Sequence, residues 1–228
     1  MDVNKSVKAF IFDDDNTGET LVMTVYEYVD PSYGMYIWPS SPVLAQYVWH
    51  NRNFIKDKTV LEIGAGTALP GLTAAKCGAC VYLTDSAFSP KCFELCRDNI
   101  QTNDLKENDN LKIFSLTWGM FCPNILTLKP VDIILGSDCF YDPDVFEAIL
   151  VTISFIFTKY PKARFWCTYQ ERSADWTIRH LLKKWNLSCR AISLESFDAE
   201  GGNIAGSNMP GRHEIRMFEI AKEHQESD

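Results

Sequence analysis

The chain reads as an α/β protein built on a mainly parallel sheet, with an antiparallel last strand and a β-hairpin ahead of it. Three features carry that reading. Short apolar runs alternate with helical segments from Lys58 onward, a glycine turn follows the first of those runs, and the last two runs are separated by a Gly-rich segment without a helix. Short apolar strands bounded by turns and linked by helices pack as a parallel sheet covered on both faces. A parallel pair needs a crossover, so the final two strands should pair antiparallel at one edge.

The elements follow in order. Ala9 to Phe12 and Leu21 to Val29 flank an Asp/Asn/Gly cluster and read as strand, turn, strand. Residues 30 to 40 form an aromatic loop ending in Trp38-Pro39, and Pro42 suits the first turn of a helix running to about Trp49. Strands are expected at Thr59 to Ile63, Cys80 to Thr84, Leu111 to Leu116, Val131 to Gly136, Arg164 to Tyr169, Leu187 to Ile192 and His213 to Ala221. Helices are expected at Leu69 to Cys77, Pro90 to Asn103, Phe146 to Phe157 and Ala174 to Trp185. With no repeat or linker in its 228 residues, the chain divides into a hairpin extension, 1–35, and a single globular unit, 36–228.

Bulk properties narrow the function. The net charge is −8, from 22 basic and 30 acidic residues, and no Lys/Arg run exceeds two in a row. A general nucleic-acid binder shows a basic patch or stripe, so direct nucleic-acid binding is disfavoured. The N-terminus lacks the apolar core of a signal peptide, and no apolar stretch approaches the roughly 18 residues a membrane helix needs. A cytoplasmic location is expected, with nuclear access left open; no feature specifies an oligomer. The eight cysteines read as buried thiols, because Cys77 closes a helix, Cys80 opens a strand, and Cys92 and Cys96 lie one turn apart on the next helix, with no loop to fold around a metal.

Chemistry is expected at the carboxyl edge of the sheet, where open α/β proteins bind ligands. The first strand of the alternating region ends in Glu62-Ile63-Gly64-Ala65-Gly66, and the glycines permit torsions and a close approach that a β-carbon blocks. A nicotinamide fingerprint needs a third glycine where Leu69 stands. A cationic sulfonium nucleoside has no pyrophosphate and does not need it. A carboxylate at Glu62 would favour such a cation. Asp85, ending the next strand, can accept hydrogen bonds from ribose hydroxyls, or it can cap the following helix. Trp118 reads equally as an adenine cover or a core residue. Ser137 and Asp138 end the fourth strand beside the topological switch, where Asp138 is a site residue or a cap for the helix near Asp142-Pro143.

Several segments carry a resemblance: MYIWPSSPVLAQY, VLEIGAGTALPGL, LTDS, LTWG, SDCFYDPDVF and CTYQERSADW. From about Tyr36 onward the chain resembles the methyltransferase-like protein lysine methyltransferases of the seven-β-strand class. The resemblance implies a Rossmann-like seven-strand methyltransferase fold and S-adenosyl-L-methionine as cofactor. It implies that Trp38 and Trp118 line the cofactor pocket, with Gly64, Ala65, Gly66, Asp85 and Ser137 beside them. It also implies that Asp138-Cys139-Phe140-Tyr141 marks the active site, with Asp138 and Tyr141 catalytic.

The resemblance implies a basic protein substrate, of histone or chaperone type, methylated on lysine or arginine; arginine stays open because a relative has been linked to histone arginine methylation. Asp138 would orient the incoming nitrogen, and Tyr141 would wall the methyl channel. Glu195, Asp198 and Glu200 form an acidic loop that could fork a guanidinium or simply be solvated. Cys139 is expected to be inert, since no Pro-Cys pair is present. Two alternatives stand beside this reading: a non-catalytic S-adenosylmethionine-binding scaffold, and a small-molecule methyltransferase.

Overall fold

The computed structural model describes residues 5–28, 33–173, 176–208 and 214–223. A two-stranded antiparallel hairpin, β1 (Lys5–Asp14) and β2 (Glu19–Tyr28), precedes helix α1 (Ser40–His50) and the short α2 (Arg52–Ile55). The alternating region comprises β3 (Thr59–Glu62), α3 (Leu69–Lys76), β4 (Cys80–Asp85), α4 (Pro90–Thr102), β5 (Leu111–Ser115), α5 (Pro123–Leu126), β6 (Ile133–Ser137), α6 (Pro143–Lys159) and β7 (Arg164–Gln170). Helix α7 (Arg179–Lys184), β8 (Leu187–Ile192) and β9 (Ile215–Lys222) complete the chain.

The seven-stranded sheet has the order β5-β4-β3-β6-β7-β9-β8. Its first five strands run parallel, and β9 lies antiparallel between β7 and β8. The order turns back on either side of β3 and β6, so the crevice above their carboxyl ends is the switch point where ligands bind such sheets.

Burial follows the two-residue period of the strands. Val60, Val81, Ile133 and Leu135 face one layer with residues of α1, α3 and α4. Leu61, Tyr82, Ile134 and Phe165 face the opposite layer, packed against α6. Phe10, Phe12, Met23 and Val25 from the inner hairpin face join the first layer.

The hairpin edge is closed by side chains. Asn99 accepts from the Tyr26 N–H (2.7 Å) and donates to the Tyr26 and Thr67 carbonyls (3.1 and 3.0 Å). Asn103, one turn later and just past the end of α4, accepts from the Thr24 N–H (2.9 Å) and donates to its carbonyl (2.7 Å). The two amides stand where a third strand would, satisfying backbone groups that burial would otherwise strand.

Three expected elements differ. The helix expected from Ala174 is shorter, starting at Arg179. Trp176 lies outside it, its ring edge-on to Phe146 at 6.0 Å, and Ala174 lies outside the described residues. Helix α6 begins earlier, at Pro143, because Asp142 caps it by accepting from the Asp144 N–H. The last strand begins at Ile215; Val29 and His213, expected in strands, fall outside the described residues.

Asn99→Ala strands two carbonyls and one N–H in the interior, so we expect a loss of about 2–3 kcal/mol. The Tm should fall by roughly 5–10 °C for a chain of this size. Gln101→Ala, on the exposed side of the same helix, should leave the Tm nearly unchanged. Equal melting of both variants in a thermal scan would refute the strand-mimic role of Asn99.

Candidate active site

The turn after β3 takes left-handed torsions at Gly64 (φ 59°) and Gly66 (φ 52°). Steric room is equally tight: a β-carbon on Gly64 would lie 2.7 Å from the Trp118 ring, and one on Gly66 would lie 2.9 Å from the Gly34 carbonyl oxygen. Ala68 also adopts a left-handed conformation (φ 63°) to start α3, at a position the sequence did not single out. Two hydrogen bonds tie the turn to β4. The Ala65 N–H donates to the Thr84 carbonyl, and the Gly66 N–H donates to Asp85 Oδ2, both at 2.9 Å.

Above the turn lies a cavity of about 1040 Å³ along the carboxyl edge of the sheet. Gly64, Ala65, Gly66, Asp85 and Trp118 line it, with Trp38, Ser137, Asp138, Tyr141, Arg172 and Trp176.

Asp85 does not cap α4, whose first turn is preceded by Ser89. Its carboxylate accepts from the N–H groups of Gly66 and Ser86 (2.9 and 2.7 Å) and remains on the cavity wall. Burial pushes this carboxyl up, and the two N–H donors pull the other way. Trp118 stands half-buried over Gly64, with its ring 6.3 Å from that of Tyr141. Trp38 is positioned through the hairpin: buried Glu27 on β2 accepts from the Ile37 N–H at 3.0 Å, and Tyr36 meets the Trp38 ring edge-on at 5.7 Å.

Glu62 departs from expectation. It is 0% exposed and lies beneath the turn, outside the cavity lining. Its Oε2 accepts from the Gly71 N–H at 3.1 Å, while Oε1 has no partner. Burial, with a smaller contribution from nearby Asp85, pushes this carboxyl up to about 8. The cause is packing: Gly71 brings α3 so close that an added β-carbon would sit 2.4 Å from Oε2. Glu62 therefore braces the turn from below and does not reach the cavity.

Just past the end of β6, Asp138 is 5% exposed with a left-handed backbone (φ 54°). Asp142, not Asp138, caps α6. The Asp138 N–H donates to the Thr168 carbonyl of β7 at 2.7 Å. Its Oδ1 accepts from the Gln170 N–H (3.1 Å) and Arg172 Nη1 (2.9 Å), and Oδ2 accepts from Arg172 Nη2 (2.5 Å). The Arg172 guanidinium also lies 5.5 Å from the Trp38 ring centre.

Sequence reasoning missed Arg172. The signal available was its place just past β7, the strand beside β6, which Asp138 directly follows. Cys139 is buried, its thiol pushed well above the usual range by desolvation, and it donates to the Ile63 carbonyl at 3.4 Å. The acidic loop is not at the cavity. Phe197, between Glu195 and Asp198, is held against α1, where its carbonyl accepts from Gln46.

The turn, the aspartate and the aromatic walls fit a sulfonium nucleoside: close-approach glycines for its tail, an acceptor for its ribose, and ring faces for its base and cation. The Glu62 proton sets a pH dependence. An acid with a raised folded pKa contributes stability that is full below about pH 4.5 and is lost as pH rises through about 8. Between about pH 6 and about pH 9 we expect the wild type to lose on the order of 2 kcal/mol more than Glu62→Gln. Parallel urea-unfolding results for the two proteins across that window would refute the assignment.

Residues 17–184 match the family described as lysine methyltransferase. The chain is 46% identical over 218 residues to histone-arginine methyltransferase METTL23 of Xenopus laevis, covering 96% of this chain and 92% of that one. It is 51% identical over 187 residues to histone-arginine methyltransferase METTL23 of Homo sapiens, covering 82% and 97% respectively. Magnesium protoporphyrin IX methyltransferase of Synechocystis PCC 6803, solved with bound S-adenosylmethionine, shares the fold at TM-score 0.52 and 16% identity, covering 80% of this chain and 79% of that one. With its seven-stranded sheet, glycine turn and carboxyl-edge cavity, the chain belongs to the lysine methyltransferase family and takes S-adenosylmethionine as its cofactor.

Proposed function

We propose that the chain methylates arginine side chains of a basic protein partner. The observation that carries this reading is the acceptor end of the cavity, where the Asp138 carboxylate, held by Arg172, stands beside the Trp38 ring. It keeps an Oδ2 acceptor direction for one N–H of an incoming guanidinium and a flat wall for the planar group. Relatives with 46–51% identity named as histone-arginine methyltransferases support it. The net charge of −8 favours encounter with a basic partner. A lysine acceptor is the second reading. The family description supports it, and so does the Asp138 fork: it is already engaged and leaves room for a single further donor, which suits one amine.

When bound, S-adenosylmethionine supplies an electrophilic methyl: the acceptor nitrogen lone pair forms the N–C bond as the C–S bond breaks, the electron pair leaves on a neutral thioether sulfur, and one N–H proton of the acceptor leaves by way of the Asp138 carboxylate to solvent. The chain supplies placement. Asp138 accepts an N–H of the acceptor nitrogen, and Trp38, Trp118 and Tyr141 wall its approach. Such positioning can be worth up to ~7–11 kcal/mol in favourable cases.

Asp85→Ala removes the ribose acceptor, so calorimetry should show S-adenosylmethionine affinity weakened by about 10- to 100-fold. Unchanged affinity would refute that role. Labelled-methyl transfer to core histones should place the label on arginine, as read by mass spectrometry of digests. Asp138→Asn should cut turnover by about 100-fold while cofactor affinity holds. Label found only on lysine would select the second reading, and a wild type that binds cofactor yet labels no protein would end both.

A further inference from the structure

A carboxylate as buried as Asp138 is costly without a cation, and Arg172 supplies one in the two-point geometry that only a guanidinium offers. The contact does more than neutralise. A carboxylate oxygen offers about two acceptor directions. On Oδ1 both are taken, by Gln170 N–H and Arg172 Nη1; on Oδ2 one is taken, by Arg172 Nη2. Among the described residues a single acceptor direction remains, on Oδ2, and Asp138 lines the cavity.

Arg172 is itself held. Its Nη1 also donates to the Gln170 carbonyl at 3.2 Å, and its guanidinium lies against Trp38. The Asp138 backbone is locked to β7 through the Thr168 carbonyl. Strand β6, strand β7 and the Trp38 loop thus meet in one ion pair.

We infer that Arg172 is a positioning residue for methyl transfer, fixing Asp138 so that its remaining Oδ2 lone pair meets the acceptor nitrogen. This rests on the protein N-methylation reading above, with Arg172 staying in place throughout and not giving way to the substrate.

The test uses the full chain as wild type, Arg172→Ala and Arg172→Lys, with the basic protein that the wild type labels. Cofactor affinity by calorimetry reports folding and the cofactor end. Turnover and KM report the acceptor end. Arg172→Ala should bind S-adenosylmethionine as the wild type does, lose about 100-fold in kcat, the scale of a misplacement near 1 Å, and change KM only slightly. Millimolar guanidinium chloride should restore turnover, and ammonium chloride at equal concentration should not. Arg172→Lys, which keeps the charge without the fork, should remain deficient in kcat; it carries the test should the alanine variant fail to fold.

Three results would overturn the inference. Retained kcat in Arg172→Ala is one. A lowered KM with kcat held is another, since it would make Arg172 a plug that substrate displaces. The third is a kcat loss that guanidinium does not restore. A wild type that labels no protein would sink the activity reading instead. In that case ¹⁵N NMR of the Arg172 guanidinium with and without a basic peptide still decides the inference: a resonance that stays ordered supports it, and one released by the peptide refutes it.

Discussion

The hydrogen bond from the Gly66 N–H to Asp85 Oδ2 is the contact around which the site is organised. It joins the end of β3 to the end of β4 and requires a left-handed turn that only glycine adopts without strain at two positions. Two other parts of the chain, the Gly34 loop and α4, make three contacts with the same turn. The Gly34 carbonyl crosses Gly66, Asn99 of α4 holds the Thr67 carbonyl, and the Cys96 thiol donates to the Gly66 carbonyl at 3.3 Å. The hairpin is part of this arrangement, since Asn99 binds β2 and the turn together, and Glu27 fixes the loop that carries Trp38.

Three spatially adjacent strands, β4, β3 and β6, end in or run into carboxylates: Asp85, Glu62 and Asp138. Their environments separate their roles. Glu62 is sealed beneath the turn, without a cation, and holds its proton to about pH 8. Asp85 is held by two N–H donors on the cavity wall, as a ribose acceptor would be. Among the described residues, Asp138 alone of the three has a guanidinium upon it. One sheet edge thereby holds a buried brace, a carboxylate bound by two N–H groups on the cavity wall and a charged pair, differing mainly in desolvation and partners.

Most of the architecture was legible along the chain. The apolar runs from Val60 to Ile192 are short and bounded by turns, which forces buried parallel strands. The helix-free segment before the last strand requires antiparallel pairing, and β9 shows it. The Gly64–Gly66 turn, Asp85 and Asp138 could be placed at the carboxyl edge because each directly follows a strand, and strand ends converge in space. Local chemistry determined these features.

What the chain did not reveal depends on contacts between residues far apart in sequence. Arg172 meets Asp138 across a gap of 34 positions, because β6 and β7 lie side by side in parallel register. Asn99 and Asn103 look like ordinary polar residues on a helix until β2 is folded against them. Glu62 sits at a strand end like Asp85, but the close packing of Gly71 buries it, a matter of how near α3 lies to the sheet and not of sequence position. Residue type and spacing therefore decided which elements form and which strand ends meet at the cavity. The side-chain partners, and with them the charge state and direction of each carboxylate, were decided by tertiary packing, because desolvation and hydrogen-bond geometry exist only once distant segments are in contact.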